Sequence, residues 1–204
     1  MGVQVHTIAR VEATIRDNLA AFERRAADDP ALRRAAVAVT VLGGRAVLVA
    51  KRVARGLNAG QWALPGGKLD PGEDAVTGAL RELREETALD APPGSVAGLL
   101  DDLVTGSGFC ITPVVVLVPD GAKLRRNPAE LASLHPVPFA NLLADHVPRW
   151  ATAPDGGPLL QMPLRHDMVI HAPTGAILLQ FREVALRGNP LRVAELTQPD
   201  WTHR

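Results

Sequence analysis

Three carboxylates crowd together near the middle of the chain. Glu82, Glu85 and Glu86 lie inside the run Arg81-Glu82-Leu83-Arg84-Glu85-Glu86. On a helix, positions i, i+3 and i+4 share about a third of the circumference. Like charges so placed repel by a few tenths of a kcal/mol per close pair, and a divalent cation between them turns that repulsion into attraction. Mg²⁺ takes oxygen ligands and combines a few carboxylates with phosphate and water. Held there, such a cation can screen a diphosphate and activate water for attack on phosphorus. The plain alternative is a solvated helix on which Arg81 and Glu85 pair at i, i+4. The preceding residues favour the chemical reading: Gly66-Gly67 permits close backbone approach, a loop before a helix N-terminus suits phosphate contacts, and Glu73 adds a fourth carboxylate.

The elements that must position these groups follow from the pattern around them. Asp74 is a suitable N-cap for a helix running to Thr87. Val76, Leu80, Leu83 and Thr87 form its apolar stripe, with the glutamates beside that stripe, at the rim of a core. Upstream, Ala35–Leu42 and Ala46–Ala50 read as a β-hairpin turned at Gly43-Gly44, followed by a Gly/Pro-rich loop from Gly56 to Gly72. Ile8, Val11, Ile15, Leu19 and Phe22 recur at helical spacing and predict a helix over 8–27, ended by Asp28-Asp29-Pro30. Strands are expected over 96–104 and 109–118, with Pro113 suggesting an edge or a bulge in the latter. The stretch 127–145 is mixed and Pro-punctuated. Thr174 could cap a last helix whose buried stripe is Ile177, Leu178, Phe181, Val184 and Ala185. The alternation predicts an α/β layer architecture.

The 204 residues are 47% hydrophobic and 22% charged, an ordinary globular mix. The 22 basic and 22 acidic residues cancel, so no field of one sign points to nucleic acid or to an anionic membrane. An anionic substrate must then be held by local charge or by metal. No apolar stretch approaches the ~20 residues of a membrane span, no signal-peptide core is present, and the cytoplasm is the default expectation. The lone Cys110 lies in an apolar run and reads as a buried structural thiol. His135, His166 and His171 share no metal-ligand spacing. Trp62 either stacks on a base or covers the core.

The run Gly67-Lys-Leu-Asp-Pro-Gly-Glu73, seven residues, then Arg81-Glu82-Leu83, Glu85-Glu86 and Leu89 resembles the box of the Nudix hydrolase family. Six fixed matches by chance are of order one in ten million per start position. One position departs: Ala88 stands where the family has Gly. A left-handed helix cap there costs Ala roughly 1–2 kcal/mol. The resemblance implies an α/β/α sandwich around a mixed sheet with the box helix against one face, and a hydrolase of nucleotide diphosphate linkages using Mg²⁺ or Mn²⁺. It implies Glu82, Glu85 and Glu86 as metal ligands with the Gly66 carbonyl, and a Glu73–Arg81 ion pair orienting loop and helix. Glu130 is a candidate base outside the box, set against a plain surface role. Residues 1–204 are expected to form one such domain, with 1–34 as a helical extension and 188–204 as a tail, as a monomer or homodimer.

Softer motifs resemble the coenzyme A diphosphatase branch: Arg34-Ala-Ala-Val37, Ser107-Gly-Phe-Cys-Ile-Thr-Pro113, Asn127-Pro-Ala-Glu130 and Val137-Pro-Phe. The branch's marker before the box is altered. Lys51-Arg52 opens it and Pro65-Gly66-Gly67 closes it, while Val53 replaces Ser, Leu64 replaces Phe, and its second Arg has only Arg55 as an unaligned neighbour. Arg52 and Arg55, with Gly66 and Gly67, are the expected substrate contacts, and coenzyme A or an acyl derivative is the expected substrate. The alternatives are ADP-ribose, NAD(H), an NDP-sugar or an oxidised nucleotide, or a Nudix-fold regulator that binds a nucleotide without cleaving it.

Overall fold

The computed structural model describes residues 2–55, 59–153, 156–194 and 196. The first helix, α1 (Gly2–Ala21), leads to β1 (Arg33–Leu42) and β2 (Ala46–Arg52). Gly43 and Gly44 make the hairpin turn at φ of 53° and 60°, a conformation that glycine takes without steric cost. The two strands pair only next to the turn, at Val41↔Val47 and Leu42↔Ala46, and then diverge. Into the opening go two short strands, β3 (Trp62–Ala63) against β2 and β4 (Gly66–Lys68) against β1. The expected irregular loop 56–72 is thus corrected in part, because the unpaired backbone of the diverging hairpin supplies ladder partners to it.

The box helix, α2 (Ala75–Thr87), follows, then β5 (Val96–Leu99), β6 (Leu103–Val104), β7 (Phe109–Val118) and β8 (Leu131–Pro138). β7 runs parallel to β1 over ten residue pairs, and the other pairings in this sheet are antiparallel. The sheet is therefore mixed, in the order β3-β2-β1-β7-β5 with β4, β6 and β8 attached. Both faces are covered. Ala36, Ala38, Leu48, Val114 and Val116 pack with Ala79 and Leu83 of α2. Val39, Val41, Val47, Val115 and Leu117 pack on the other side with Ile15, Leu19 and the C-terminal helix. This is an α/β/α sandwich, and strands buried on both faces explain the nearly unbroken apolar runs.

Three expectations need correction. The first helix ends at Ala21 rather than 27, because the next amides are captured elsewhere: Asp101 accepts from the Arg25 N–H at 2.7 Å and Asp102 from the Ala27 N–H at 2.9 Å. Ile15, Leu19 and Phe22 are buried in the main core. Pro113 lies in an inner strand. Its absent N–H falls where β7 changes partner from β6 to β5, and its carbonyl still accepts from Leu100. Thr174 is the first residue of α4 (Thr174–Phe181), not its cap; Pro173 precedes it with no side-chain cap bond, and Gly175 to Phe181 are all buried. Between β8 and α4 stand α3 (Phe139–Leu142) and an antiparallel sheet of β9 (Arg149–Thr152), β10 (Pro158–Arg165) and β11 (Met168–Ile170), which the sequence pattern did not reveal. Among the described residues no helix is long and apolar enough to cross a membrane.

Candidate functional site

The box helix is held at both ends. Asp74 Oδ1 accepts from the Val76 and Thr77 amides at 2.9 and 3.0 Å, satisfying donors that the first turn leaves open. At the other end Ala88 adopts the left-handed conformation, φ 58° and ψ 18°, with its N–H on the Arg84 carbonyl at 2.9 Å. The helix thus exits through a left-handed residue that carries a Cβ. Leu83 and Ala79 are fully buried against the small residues Ala36 and Ala38, so the helix lies close to the sheet and brings its glutamates over β4.

Arg81 ties the loop to the helix. Its Nε and Nη2 donate to both oxygens of Glu73 at 2.9 Å, and Nη2 also reaches the Lys68 carbonyl at 3.1 Å. Its Nη1 donates to Glu82 Oε1 at 2.9 Å and to Glu85 Oε2 at 3.3 Å. The bidentate guanidinium bond, then the Asp70 amide, hold the Glu73 carboxyl below its usual range. Hydrogen bonding to Glu73 and Glu82 raises Arg81 further above its already high pKa.

The three glutamates have different surroundings. The Glu85 side chain is 50% exposed, Glu82 15% and Glu86 only 2%. Glu86 Oε2 accepts from the Gly66 N–H at 3.2 Å, and Arg52 Nη1 stands 3.8 Å from Oε1. Burial pushes the Glu86 carboxyl up to about 8, against the pull of Arg52 and the Gly66 amide, while Glu82 and Glu130 push the same way as burial. The glycines are needed for close approach. A Cβ on Gly66 would stand 2.7 Å from Val37 Cα, and one on Gly67 would run into the Glu82 carboxylate, 2.7 Å from its Cδ.

The structure therefore gathers Glu73, Arg81, Glu82, Glu85, Glu86, Gly66, Gly67 and Arg52 at one end of the sheet. Arg55 is exposed and lines no part of the adjoining cleft. Among the described residues no three acidic, His or Cys side chains already converge as a cation cage, because Arg81 engages Glu82 and Glu85 while Glu86 faces Gly66. Glu130 joins the cluster: it is half-buried, receives Asn127 Nδ2 at 3.0 Å, and lies near enough to Glu86 to raise its pKa. The turn that carries it docks through the Asn127 N–H on the Glu86 carbonyl at 2.8 Å and the Val53 N–H on the Glu130 carbonyl at 3.0 Å.

Beside Gly66 opens a cleft of about 200 Å³ lined by Arg52, Trp62, Gly66, Ser107, Phe109 and Thr174, among others. Trp62 meets the His135 ring edge-on at 5.0 Å and Lys51 Nζ at 4.9 Å, and forms part of the wall. Ser107 and Phe109 were visible in the sequence as a motif without a role. Thr174, from α4, was read in the sequence as a helix cap and not as a site residue. Cys110 is buried, and burial raises its thiol pKa, as a structural cysteine requires.

Comparison with known proteins agrees with this geometry. The NUDIX domain model matches residues 31–155. The chain is 44% identical over 87 residues to the uncharacterized Nudix hydrolase NudL of Yersinia enterocolitica, covering 42% of this chain and 45% of that protein. It is 40% identical over 88 residues to NudL of Photorhabdus laumondii, covering 43% and 47%. The matched stretch is thus less than half the length of these relatives. A solved MutT/nudix family protein of Enterococcus faecalis superposes with a TM-score of 0.55 over 80% of this chain and 67% of that chain; at 16% identity the likeness is one of fold. Since the family's model spans more than half of the chain, the chain belongs to the NUDIX domain family.

Proposed function

We propose that this chain hydrolyses the diphosphate linkage of a nucleoside diphosphate derivative with Mg²⁺ or Mn²⁺, and that coenzyme A or an acyl derivative is its preferred substrate. The observation that carries the reaction is Glu86. A carboxylate 2% exposed, with its nearest cation 3.8 Å away, is costly to keep charged unless a positive partner compensates it. Glu82, Glu85 and the Gly66 carbonyl complete a set of hard oxygen donors that fits either ion. A cation bound there supplies Lewis-acid stabilisation of the diphosphate and lowers the pKa of attacking water.

The chain's own groups do the rest. Glu82, Glu85 and Glu86 hold negative charge on one helix face. Arg81 and Glu73 fix that helix to the Lys68–Asp70 loop, so the carboxylates keep their spacing. Gly66 and Gly67 let phosphate oxygens approach the backbone. Arg52, beside Glu86 and in the cleft wall, meets the diphosphate itself. Glu130 is placed to take a proton near Glu86. Arg55, exposed ahead of residues 56–58, is the cation we assign to a further phosphate. For coenzyme A, the support is the resemblance of Arg34-Ala-Ala-Val37, Ser107 to Pro113, Asn127 to Glu130 and Val137-Pro-Phe to the coenzyme A diphosphatase branch.

The test is hydrolysis of coenzyme A, acetyl-coenzyme A, ADP-ribose, NADH and a nucleoside triphosphate with Mg²⁺ and then Mn²⁺, with Glu86→Gln as control. Preference for coenzyme A, abolished in the control, is the expected outcome. Preference for another member overturns the substrate assignment, and silence on all overturns the reaction. Arg52→Ala should weaken every substrate, whereas Arg55→Ala should raise KM for coenzyme A and spare its dephospho form.

A further inference from the structure

A second cleft, of about 270 Å³, lies next to the first and shares with it the wall made by Gln61, Trp62, Pro173 and Thr174. The rest of its lining is different in kind. The first cleft contains Arg52 and the Gly66 backbone beside Glu86. The second is lined by Gly60, Val169, Ile170, His171 and Ala172. No Lys, Arg, Asp or Glu is among its described lining residues. Its one ionisable group is His171, whose Nδ1 lies 3.0 Å from the Leu160 carbonyl, and burial lowers its pKa below the ordinary value for histidine. A group of substrate entering this cleft leaves water for an apolar wall that offers no counter-charge, so a charged group is penalised and a neutral chain is favoured.

The origin of that wall is also distinct. Val169 and Ile170 belong to β11 and Pro173 and Thr174 to the start of α4, all beyond residue 155, where the match to the family's model ends. Within β11 Met168 and Ile170 are buried in the main core, while the half-buried Val169 alternates to the other face. The strand is therefore anchored in the core by Met168 and Ile170, and it borders the cleft through Val169 and Ile170.

We infer that the second cleft is a specificity subsite for the uncharged arm of the substrate, a flexible chain of amide and alkyl groups such as pantetheine, with its phosphate end in the first cleft. This rests on the proposed diphosphate hydrolysis. The continuous wall from Arg52 through Trp62 to Val169 is the path such a molecule follows. ADP-ribose, whose second arm is a compact polyhydroxyl ring, gains less from an apolar wall than an amide–alkyl chain does.

Two measurements test this. Val169→Trp fills the cleft from a half-buried position in its wall. The ratio of kcat/KM for dephospho-coenzyme A to that for ADP-ribose should fall about tenfold, mainly through KM, as expected for loss of binding in an apolar pocket. An unchanged ratio overturns the assignment. Saturation-transfer NMR with pantetheine alone reads the cleft without any hydrolysis. Saturable signals from the unaltered protein that Val169→Trp abolishes support the subsite. Their absence from the unaltered protein overturns it, even if hydrolysis is established. Conversely, pantetheine binding in a protein that cleaves no diphosphate refutes the reaction and leaves the subsite standing.

Discussion

Replacing Ala88 with glycine should stabilise the protein, and the size of the effect follows from one backbone angle. Ala88 ends the box helix at φ 58°, where its Cβ crowds the backbone and costs roughly 1–2 kcal/mol relative to the right-handed region. Glycine removes that cost but gains freedom in the unfolded chain, which takes back about 0.4–1 kcal/mol. The Arg84 carbonyl keeps its bond from the residue 88 amide at 2.9 Å, so no hydrogen bond is exchanged. The net expectation is about 0.5–1 kcal/mol of added stability. For a chain of 150–250 residues each kcal/mol moves Tm by about 2–4 °C, so Ala88→Gly should melt about 1–4 °C higher. Thermal unfolding by circular dichroism and urea titration measure this, with an unchanged m-value showing that stability shifts without a change in the surface exposed on unfolding. A Tm equal to or below that of the unaltered protein would show that Ala88 is not strained in solution, and that the helix leaves the box by another path.

Two further outcomes are expected. Gly67→Ala should lower kcat about a hundredfold or more while leaving Tm nearly unchanged, because the new methyl displaces the Glu82 carboxylate and small displacements at a reacting centre have effects of that order; near-normal turnover would remove Glu82 from the reaction. Asp102 ties the segment after α1 to the sheet, accepting from Arg24 at 2.5 Å, Thr112 at 2.7 Å and the Ala27 amide at 2.9 Å with its side chain 2% exposed. Burial raises its pKa, but those donors outweigh it and hold the carboxyl below 3.8. A depressed carboxyl stabilises the fold above its unfolded pKa and loses that contribution as pH falls through the folded value. Asp102→Asn should therefore cost about 2–3 kcal/mol at pH 7, and its urea midpoint should converge on that of the unaltered protein below about pH 3.8. A constant gap from pH 7 to pH 3 would refute the linkage.

What the sequence by itself determined was local and periodic. The i, i+3, i+4 spacing of Glu82, Glu85 and Glu86, the Asp74 cap, the Gly43-Gly44 turn and the unbroken β7 run are set within a few residues, where backbone sterics and side-chain period decide. The left-handed cap at position 88 was not legible in this way, because alanine disfavours that conformation and only the glycine of the resembled box pointed to it. Tertiary structure decided everything that depends on neighbours far along the chain. Glu85 and Glu86 are adjacent in sequence, yet one is half in water and the other sealed against Gly66, because the sheet lies on one side of α2 only. Asp101 and Asp102 unwound the end of α1 by claiming its next amides, a competition that no window around residue 25 contains. Pro113 sits inside a sheet because β5 and β6 leave a gap opposite its missing donor. Glu130 came to Glu86 through the Asn127 turn, and Val169 and Thr174 came to Trp62 through a second sheet with no pattern to announce it. Burial and long-range hydrogen bonding are properties of the assembled chain, and at these positions they override what each segment prefers alone.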